Sequence, residues 1–130
     1  MSDNTILPER RYLDINIPIS EFRLISTSPQ VYRLIFRIDI YNSSRLGIRL
    51  MGRKWTMTDA KERTFIIEAD HVFRQDPHLS PGAVFSYGGY HDFPAPPKNL
   101  ELRLFGIDQM LTPFISTPCV FKKRHFRLSG

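Results

Sequence analysis

The chain has 130 residues, of which 42% are hydrophobic and 24% charged, and its 18 Lys and Arg against 13 Asp and Glu give a net charge of +5. This composition excludes a disordered chain and a membrane-embedded one, and the length suits one domain. We predict a single domain over residues 1–130, with an ordered body at about 12–123. The positive charge favours anionic ligands or acidic partners without choosing among them.

The chain carries no sign of export or of a membrane anchor. No run approaches the roughly 18 consecutive apolar residues of a membrane-spanning helix, and residues 1–11 lack the apolar centre of a signal peptide. Cys119 is the one cysteine, so the chain cannot form an internal disulfide. These features predict a cytoplasmic protein that does not contact membranes.

The clearest predicted strand covers residues 31–41. Its apolar residues recur at every second position: Tyr32, Leu34, Phe36, Ile38 and Ile40. A period of two is typical of a strand, so this set should face the core while Arg33, Arg37 and Asp39 face water. Upstream, residues 13–17 alternate in the same way and should end at Pro18, whose nitrogen cannot donate to a ladder.

Further short strands are predicted downstream, separated by turns. They cover residues 46–50, 55–58, 64–67, 84–87 and 100–104, with a last apolar segment at 114–121. Residues 59–62 form a hairpin turn, and residues 69–82 and 88–99 lose the alternation and form loops. Seven to eight antiparallel strands without helical periodicity predict an all-β fold, a sandwich or a barrel.

Several landmarks, taken in order, resemble the ApaG domain family. They are Ile40-x-Asn42, Leu50-x-Gly52-Arg53-x-Trp55, Pro77-x-Leu79-x-Pro81-Gly82 and Phe85-x-Tyr87. The resemblance runs through nearly the whole chain. It implies an immunoglobulin-like or fibronectin type III-like β-sandwich that serves as an interaction module. The family is associated with cobalt resistance and magnesium efflux.

The chain departs from that family at residues 68–75. The family carries a G-x-G-x-x-G loop there, likened to pyrophosphate-binding loops, whereas this chain has no glycine in the segment. Without glycine the backbone cannot approach a phosphate as closely. We therefore expect no phosphate cradle at this loop.

Arg53, Lys54 and Trp55 place two cations beside an aromatic ring, a combination that suits an anion or a planar ligand. A lone tryptophan in a sandwich is more often packed between the sheets. We therefore favour a core position for Trp55.

The candidate metal ligands and nucleophile have ordinary alternatives. His71, Asp76 and His78 match no standard metal-ligand spacing, so we predict no metal site and no cofactor. Cys119 follows Pro118 in an apolar segment with nothing nearby in sequence to lower its pKa. We predict no enzymatic activity.

The leading hypothesis is a non-enzymatic binding module that presents its sheet surface and residues 69–82 and 88–99 to a protein partner, or to a second copy through an edge strand. Two alternatives stay open. One is a small-anion, nucleotide or divalent-metal sensing domain with an arginine-rich face, and the other binds nucleic acid through the basic segment 122–127. The candidate binding residues are Arg33, Arg37, Arg53, His71, Arg74, Tyr90 and His91.

Overall fold

Two β-sheets packed face to face form the protein in a computed structural model that describes residues 11–13, 15–70, 76–122 and 126–128. These residues include no helix, and therefore none that could cross a membrane. The strands described there are β1 (Arg11–Leu13), β2 (Ile15–Ser28), β3 (Val31–Asn42), β4 (Ile48–Asp59), β5 (Thr64–Asp70), β6 (His78–Leu79), β7 (Val84–Phe93), β8 (Pro97–Asp108), β9 (Pro113–Ser116), β10 (Cys119–Lys122) and β11 (Phe126–Leu128).

The larger sheet has the order β1-β9-β8-β4-β5, with β10 also paired to β8 and β6 to β4, and the smaller has the order β11-β2-β3-β7. Neighbouring strands run antiparallel except for the parallel pairs β1–β9 and β11–β2. The predicted all-β sandwich is confirmed. Its strands outnumber the seven to eight predicted because short segments pair separately, and the immunoglobulin-like assignment stays a prediction.

The core lies between the sheets and is built from alternate residues of the strands. In β3 the side chains of Leu34, Phe36, Ile38 and Ile40 are buried, as the sequence pattern predicts. Trp55 in β4 is 1% exposed, which confirms its predicted place in the core.

The strand that begins at Ile15 does not end at Pro18, so that prediction is wrong. β2 continues to Ser28, and its register with β3 shifts between Asn16 and Ile19. Such an irregularity takes a residue out of the ladder, which is where a strand tolerates a proline that has no N–H to donate.

The predicted loop at residues 88–99 is also wrong, because most of it belongs to β7 and β8. Gly88 and Gly89 lie opposite Arg37 and Phe36 in an unbroken ladder. A Cβ at Gly88 would lie 3.1 Å from the carbonyl oxygen of Phe36, so the missing side chain permits the close approach. The two glycines indicated a turn in the sequence but occupy a strand.

The β4–β5 and β8–β9 hairpins share one design that needs no glycine. Asp59 accepts hydrogen bonds from the amides of Lys61 and Arg63, both at 2.9 Å, and Glu62 takes a positive φ of 62°. Asp108 likewise accepts hydrogen bonds from the amides of Met110 and Thr112, and Leu111 between them has a positive φ of 63°. The carboxylate satisfies turn amides that would otherwise need water.

A glycine in β8 sets how closely this strand approaches β4. A Cβ at Gly106 would lie 1.9 Å from the carbonyl oxygen of Arg49, a backbone atom that cannot move aside alone. We expect Gly106→Ala to lower the free energy of unfolding by about 3 kcal/mol in chemical denaturation. In Gly89→Ala the new Cβ would meet Phe36 Cζ at 3.4 Å, an ordinary contact, so we expect a change below about 1 kcal/mol. Equal losses in the two variants would contradict this explanation.

The Asp59 turn predicts a specific acid sensitivity. Burial alone would raise the pKa of Asp59, but hydrogen bonds from Arg63 and Lys61 and the Arg63 charge together lower it below its ordinary 3.8. Its contribution to stability is therefore complete above that pH and is lost as the pH falls through the lowered pKa. Asp59→Asn should lower the melting temperature at neutral pH, with a difference from wild type that shrinks in acid. Glu21→Gln, at an exposed carboxylate, is the control and should show no such convergence.

Candidate functional site

Strand β7 carries candidate residues on both of its faces, because alternate side chains point to opposite sides of a sheet. It is the outer strand of the smaller sheet and pairs with β3 over ten successive positions. The residues that face the larger sheet include Tyr87, Gly89 and His91, while Tyr90 and Asp92 face outward.

The outward face, which we call the β7 face, consists of Arg33, Tyr90 and Asp92. The Arg33 guanidinium donates two hydrogen bonds to Asp92, Nε to Oδ1 at 2.8 Å and Nη2 to Oδ2 at 3.1 Å. Its Cζ atom lies 4.1 Å from the centre of the Tyr90 ring. The hydrogen bond to Asp92 raises the pKa of Arg33, and the same bond lowers the pKa of Asp92. Tyr90 is thus held against a neutralised ion pair while it remains 56% exposed.

Three arginines of the predicted arginine-rich face, Arg33, Arg37 and Arg49, each lie beside a carboxylate in the described structure. Arg37, also on β3, has its guanidinium nitrogens 3.7 Å from carboxylate oxygens of Glu21 and Asp39. Arg49 lies in the larger sheet, 3.7 Å from Asp76. An anion at any of these positions would compete with a carboxylate of the protein itself.

Arg53, by contrast, points between the two sheets. The register of β4 against β8 shifts between Leu50 and Gly52, and beyond this bulge Arg53 lies opposite Leu104, which is fully buried. The Arg53 atoms Nε and Nη1 are buried and make no hydrogen bond within the described part of the chain. Its Cζ atom lies 5.9 Å from the centre of the Tyr87 ring.

The Tyr87 ring belongs to a cluster of aromatic rings, with its centroid 5.3 Å from that of Phe36. The His91 ring stacks on Phe36 with centroids 5.3 Å apart, and Trp55 lies 5.0 Å from Phe36 and 5.8 Å from His91. Two further polar atoms here are buried: Nε2 of His91 has no hydrogen-bond partner among the described residues, and Nε1 of Trp55 has only the Tyr87 hydroxyl nearby, outside ordinary hydrogen-bond geometry. We call Arg53, Trp55, Tyr87 and His91 the inter-sheet site.

The protonation states of the inter-sheet site follow from burial and from the Arg53 charge. Burial and, to a lesser extent, the Arg53 charge lower the pKa of His91 to about 4, and Asp92 opposes the shift. Burial raises the pKa of Tyr87, and the Arg53 charge together with polar contacts from the Arg53 and Trp55 side chains to the Tyr87 hydroxyl opposes that rise. At neutral pH the site therefore holds one positive charge, a neutral imidazole and a neutral phenol.

Other predicted residues lie elsewhere or outside the described structure. His71 and Arg74 fall outside the described residues, as do Lys123, Arg124 and His125 of the basic segment. The backbone of Phe126–Leu128 forms β11, beside β2. Arg53 and His91 are the two candidate residues that the structure brings together in the inter-sheet site.

The candidate metal ligands and the cysteine show no catalytic arrangement in the described structure. No three His, Cys, Asp or Glu residues described there come close enough together to hold a metal ion. His78 lies on the wall of a cavity of about 360 Å³ with Arg49 and Gln109. Burial raises the pKa of the Cys119 thiol, which keeps it protonated and weakly nucleophilic at neutral pH.

Comparison with known families bears on the residues that build β4 and β7. A family model described as the ApaG domain matches residues 25–101, more than half of the chain. The chain belongs to the ApaG domain family. The predicted resemblance is therefore confirmed, and both the β4 bulge and the residues of the inter-sheet site lie inside the matched segment of this ApaG domain.

Curated relatives match parts of this ApaG domain. Protein ApaG of Stenotrophomonas maltophilia is 38% identical over 56 residues, which are 43% of this chain and 44% of that protein. Protein ApaG of Deinococcus radiodurans is 29% identical over 89 residues, 68% of this chain and 70% of that protein. The chain thus spans less than half the length of the first of these relatives.

Two solved structures share the fold. A crystal structure from Bordetella pertussis, named as an ApaA protein, superposes with a TM-score of 0.70 at 21% identity and covers 88% of this chain and 97% of its own. An X-ray structure of a structural genomics target superposes with a TM-score of 0.71 at 19% identity, covering 85% of this chain and 88% of its own. At these identities the likeness concerns the fold alone.

The sequence did not lead us to predict that Tyr87 and the indole of Trp55 belong to the inter-sheet site. The alternation itself carried a usable signal, since Arg53 and Trp55 are two residues apart and must share a face. A core position for Trp55 therefore places the neighbouring arginine on the core side as well. Tyr87 and His91 follow the same rule on β7.

The pKa of His91 tests this geometry. Because an unfolded histidine binds a proton near pH 6.5 and folded His91 only near 4, acidification from about 6.5 to 4 should progressively destabilise the fold through this residue. In Arg53→Gln the charge that opposes protonation is gone but the burial remains. We expect NMR titration to find the His91 pKa between about 4 and 6.5 in that variant. Arg37→Gln is the control, and an equal rise there would disprove a specific effect of Arg53.

Proposed function

We propose that this ApaG domain is a non-enzymatic module that binds a protein partner along the free edge and outward face of β7. The observation that carries the proposal is the combination of a strand edge that no other described strand covers with an exposed tyrosine held against Arg33. The two features favour an extended segment of the partner, which can add to a sheet edge through main-chain hydrogen bonds.

The edge of β7 offers donors and acceptors in a regular row. Asn42 N donates to the carbonyl of Ala83 where the β3–β7 ladder begins, and hydrogen-bonded pairs alternate along such a ladder. The N–H and C=O groups directed away from β3 are then those of Val84, Ser86, Gly88, Tyr90 and Asp92. Among the described strands, none pairs with this side of β7.

The side chains of the β7 face suit an anchor for the partner. Arg33 holds the Tyr90 ring at 4.1 Å and is itself fixed by two hydrogen bonds to Asp92. An aromatic ring held in place loses little conformational entropy on binding, and tyrosine offers both apolar area and a hydroxyl. Val84, 52% exposed at the start of the strand, adds apolar surface.

This proposal changes the predicted contact region. Residues 88–93 act as a strand edge instead of a loop, and of the predicted loop at 69–82 residues 71–75 lie outside the described structure. A second copy of the chain could add to the same edge, so homodimerisation is the alternative occupant. The family resemblance implies an association with cobalt resistance and magnesium efflux. Under this proposal the protein would contribute to those processes through its bound partner, in the cytoplasm and without a catalytic step.

Affinity capture with matched surface variants tests the proposal. We expect wild-type protein to retain partners from a lysate of its source organism, and Tyr90→Ala to lose them, because the anchor ring is removed without disturbing the core. Ile66→Ala is the control, since Ile66 is 59% exposed but lies on β5 of the other sheet. Partners retained equally by wild type and Tyr90→Ala would count against the β7 face. Self-association that is lost in Tyr90→Ala, measured by sedimentation, would identify the homodimer.

A further inference from the structure

We propose that the inter-sheet site of Arg53, Trp55, Tyr87 and His91 binds a compact oxyanion, with the carboxylate or phosphate group seated against the Arg53 guanidinium. This site lies between the sheets and is distinct from the β7 face, so the inference stands independently of the proposed protein partner. Both groups present the same chemistry to the protein, which is a small cluster of negatively charged oxygen atoms.

The inter-sheet site contains buried polar atoms whose hydrogen bonding is incomplete. Nε and Nη1 of Arg53 and Nε2 of His91 are buried and have no hydrogen-bond partner in the described part of the chain, and Nε1 of Trp55 is buried with only the Tyr87 hydroxyl nearby, outside ordinary hydrogen-bond geometry. Buried polar groups in folded proteins are nearly always hydrogen-bonded, because a lost hydrogen bond to water must be replaced. The Tyr87 hydroxyl serves Arg53 and Trp55 only in part, and a bound group would complete the hydrogen bonding of both residues and of His91.

The positive charge of Arg53 favours an anionic ligand. Arg53 retains its charge in proteins, and within the described structure no carboxylate lies in ion-pair contact with it. Arg53 is half-buried, with Nε and Nη1 shielded from water, so a counter-ion on that side would stabilise it, and a bound anion supplies one. The low pKa of His91 is consistent with such a site, since the imidazole adds no second charge until an anion arrives. A metal cation would meet the guanidinium charge and is excluded by repulsion.

The chemistry of the donors suits an oxyanion. The guanidinium presents N–H groups in a planar fork that matches two oxygens of a carboxylate or phosphate, and the Trp55 indole can only donate. Phe36, Trp55 and His91 lie within 5.0–5.8 Å of one another by ring centroids, so they form a continuous aromatic wall. Gly89, opposite Phe36, contributes no side chain. The position between two packed sheets favours a compact group over an extended ligand.

The single tryptophan of the chain provides an unambiguous reporter. Titration of the ¹⁵N-labelled protein with sodium phosphate, and separately with sodium acetate, at constant ionic strength should produce a saturable shift of the Trp55 indole N–H resonance. The anion that saturates the shift at the lower concentration is the preferred oxyanion. At saturation the His91 pKa should rise above about 4, because the bound negative charge offsets that of Arg53.

Variants separate the site from general anion binding. Arg53→Gln should weaken the binding about tenfold or more, because it removes the charge that the anion faces. Arg53→Lys keeps the charge but not the planar fork and should fall between wild type and Arg53→Gln. Arg37→Gln removes an exposed arginine and should bind as wild type does. Tyr90→Ala should also bind the anion normally, which separates this result from the test of the β7 face.

Two results would overturn the proposal. One is an indole resonance that neither anion shifts in the wild-type protein. The buried donors would then form their hydrogen bonds with ordered water. The other is a shift of equal size and midpoint in Arg53→Gln, provided that its spectrum keeps the dispersion of a folded protein. If Arg53→Gln does not fold, Tyr87→Phe takes its place. Two results together would then refute the site: Tyr87→Phe binds the anion with the affinity of wild type, and addition of the anion to wild type leaves the His91 pKa unchanged.

Discussion

The bulge in β4 between Leu50 and Gly52 is the constraint on which both the core and the inter-sheet site depend. Before it, Ile48 and Leu50 face the core, and after it Trp55 and Met57 do. Because side chains alternate strictly along a strand, only an extra residue can move the inward set from even to odd positions. Without the bulge, Trp55 would face solvent.

Gly52 makes this bulge possible. A Cβ there would lie 2.4 Å from the Phe105 ring and 2.7 Å from the carbonyl oxygen of Ala69, so a larger residue would force the strands apart. The same shift of register that buries Trp55 also turns Arg53 inward, two residues earlier on the same face. A hydrophobic anchor and a buried cation are thus consequences of one backbone feature, which is why the charge sits in an otherwise aromatic environment.

β7 connects the two candidate sites. Its inward residues Tyr87 and His91 complete the inter-sheet site, while its outward residues Tyr90 and Asp92 form the β7 face with Arg33. Gly88, between the two sets of residues, lets the strand lie close to β3. An occupant of the inter-sheet site would therefore contact the strand whose edge is open to a partner, and the rigidity of β7 would contribute to both binding events.

The sequence by itself determined the all-β class and the central strand β3, because period-two alternation is a local property that burial on one face enforces. It also favoured a core position for Trp55, because a lone tryptophan in a sandwich usually packs between the sheets. It also identified the family from the order of its landmarks. It did not determine that Pro18 lies within a strand or that Gly88 and Gly89 continue one, because proline and glycine favour turns locally and only pairing with β3 overrides that preference. Which arginines are neutralised was decided by tertiary structure alone. Arg33 meets Asp92 across 59 residues of chain, and Arg53 meets aromatic rings instead of a carboxylate, since strand register sets such distant neighbours and composition does not.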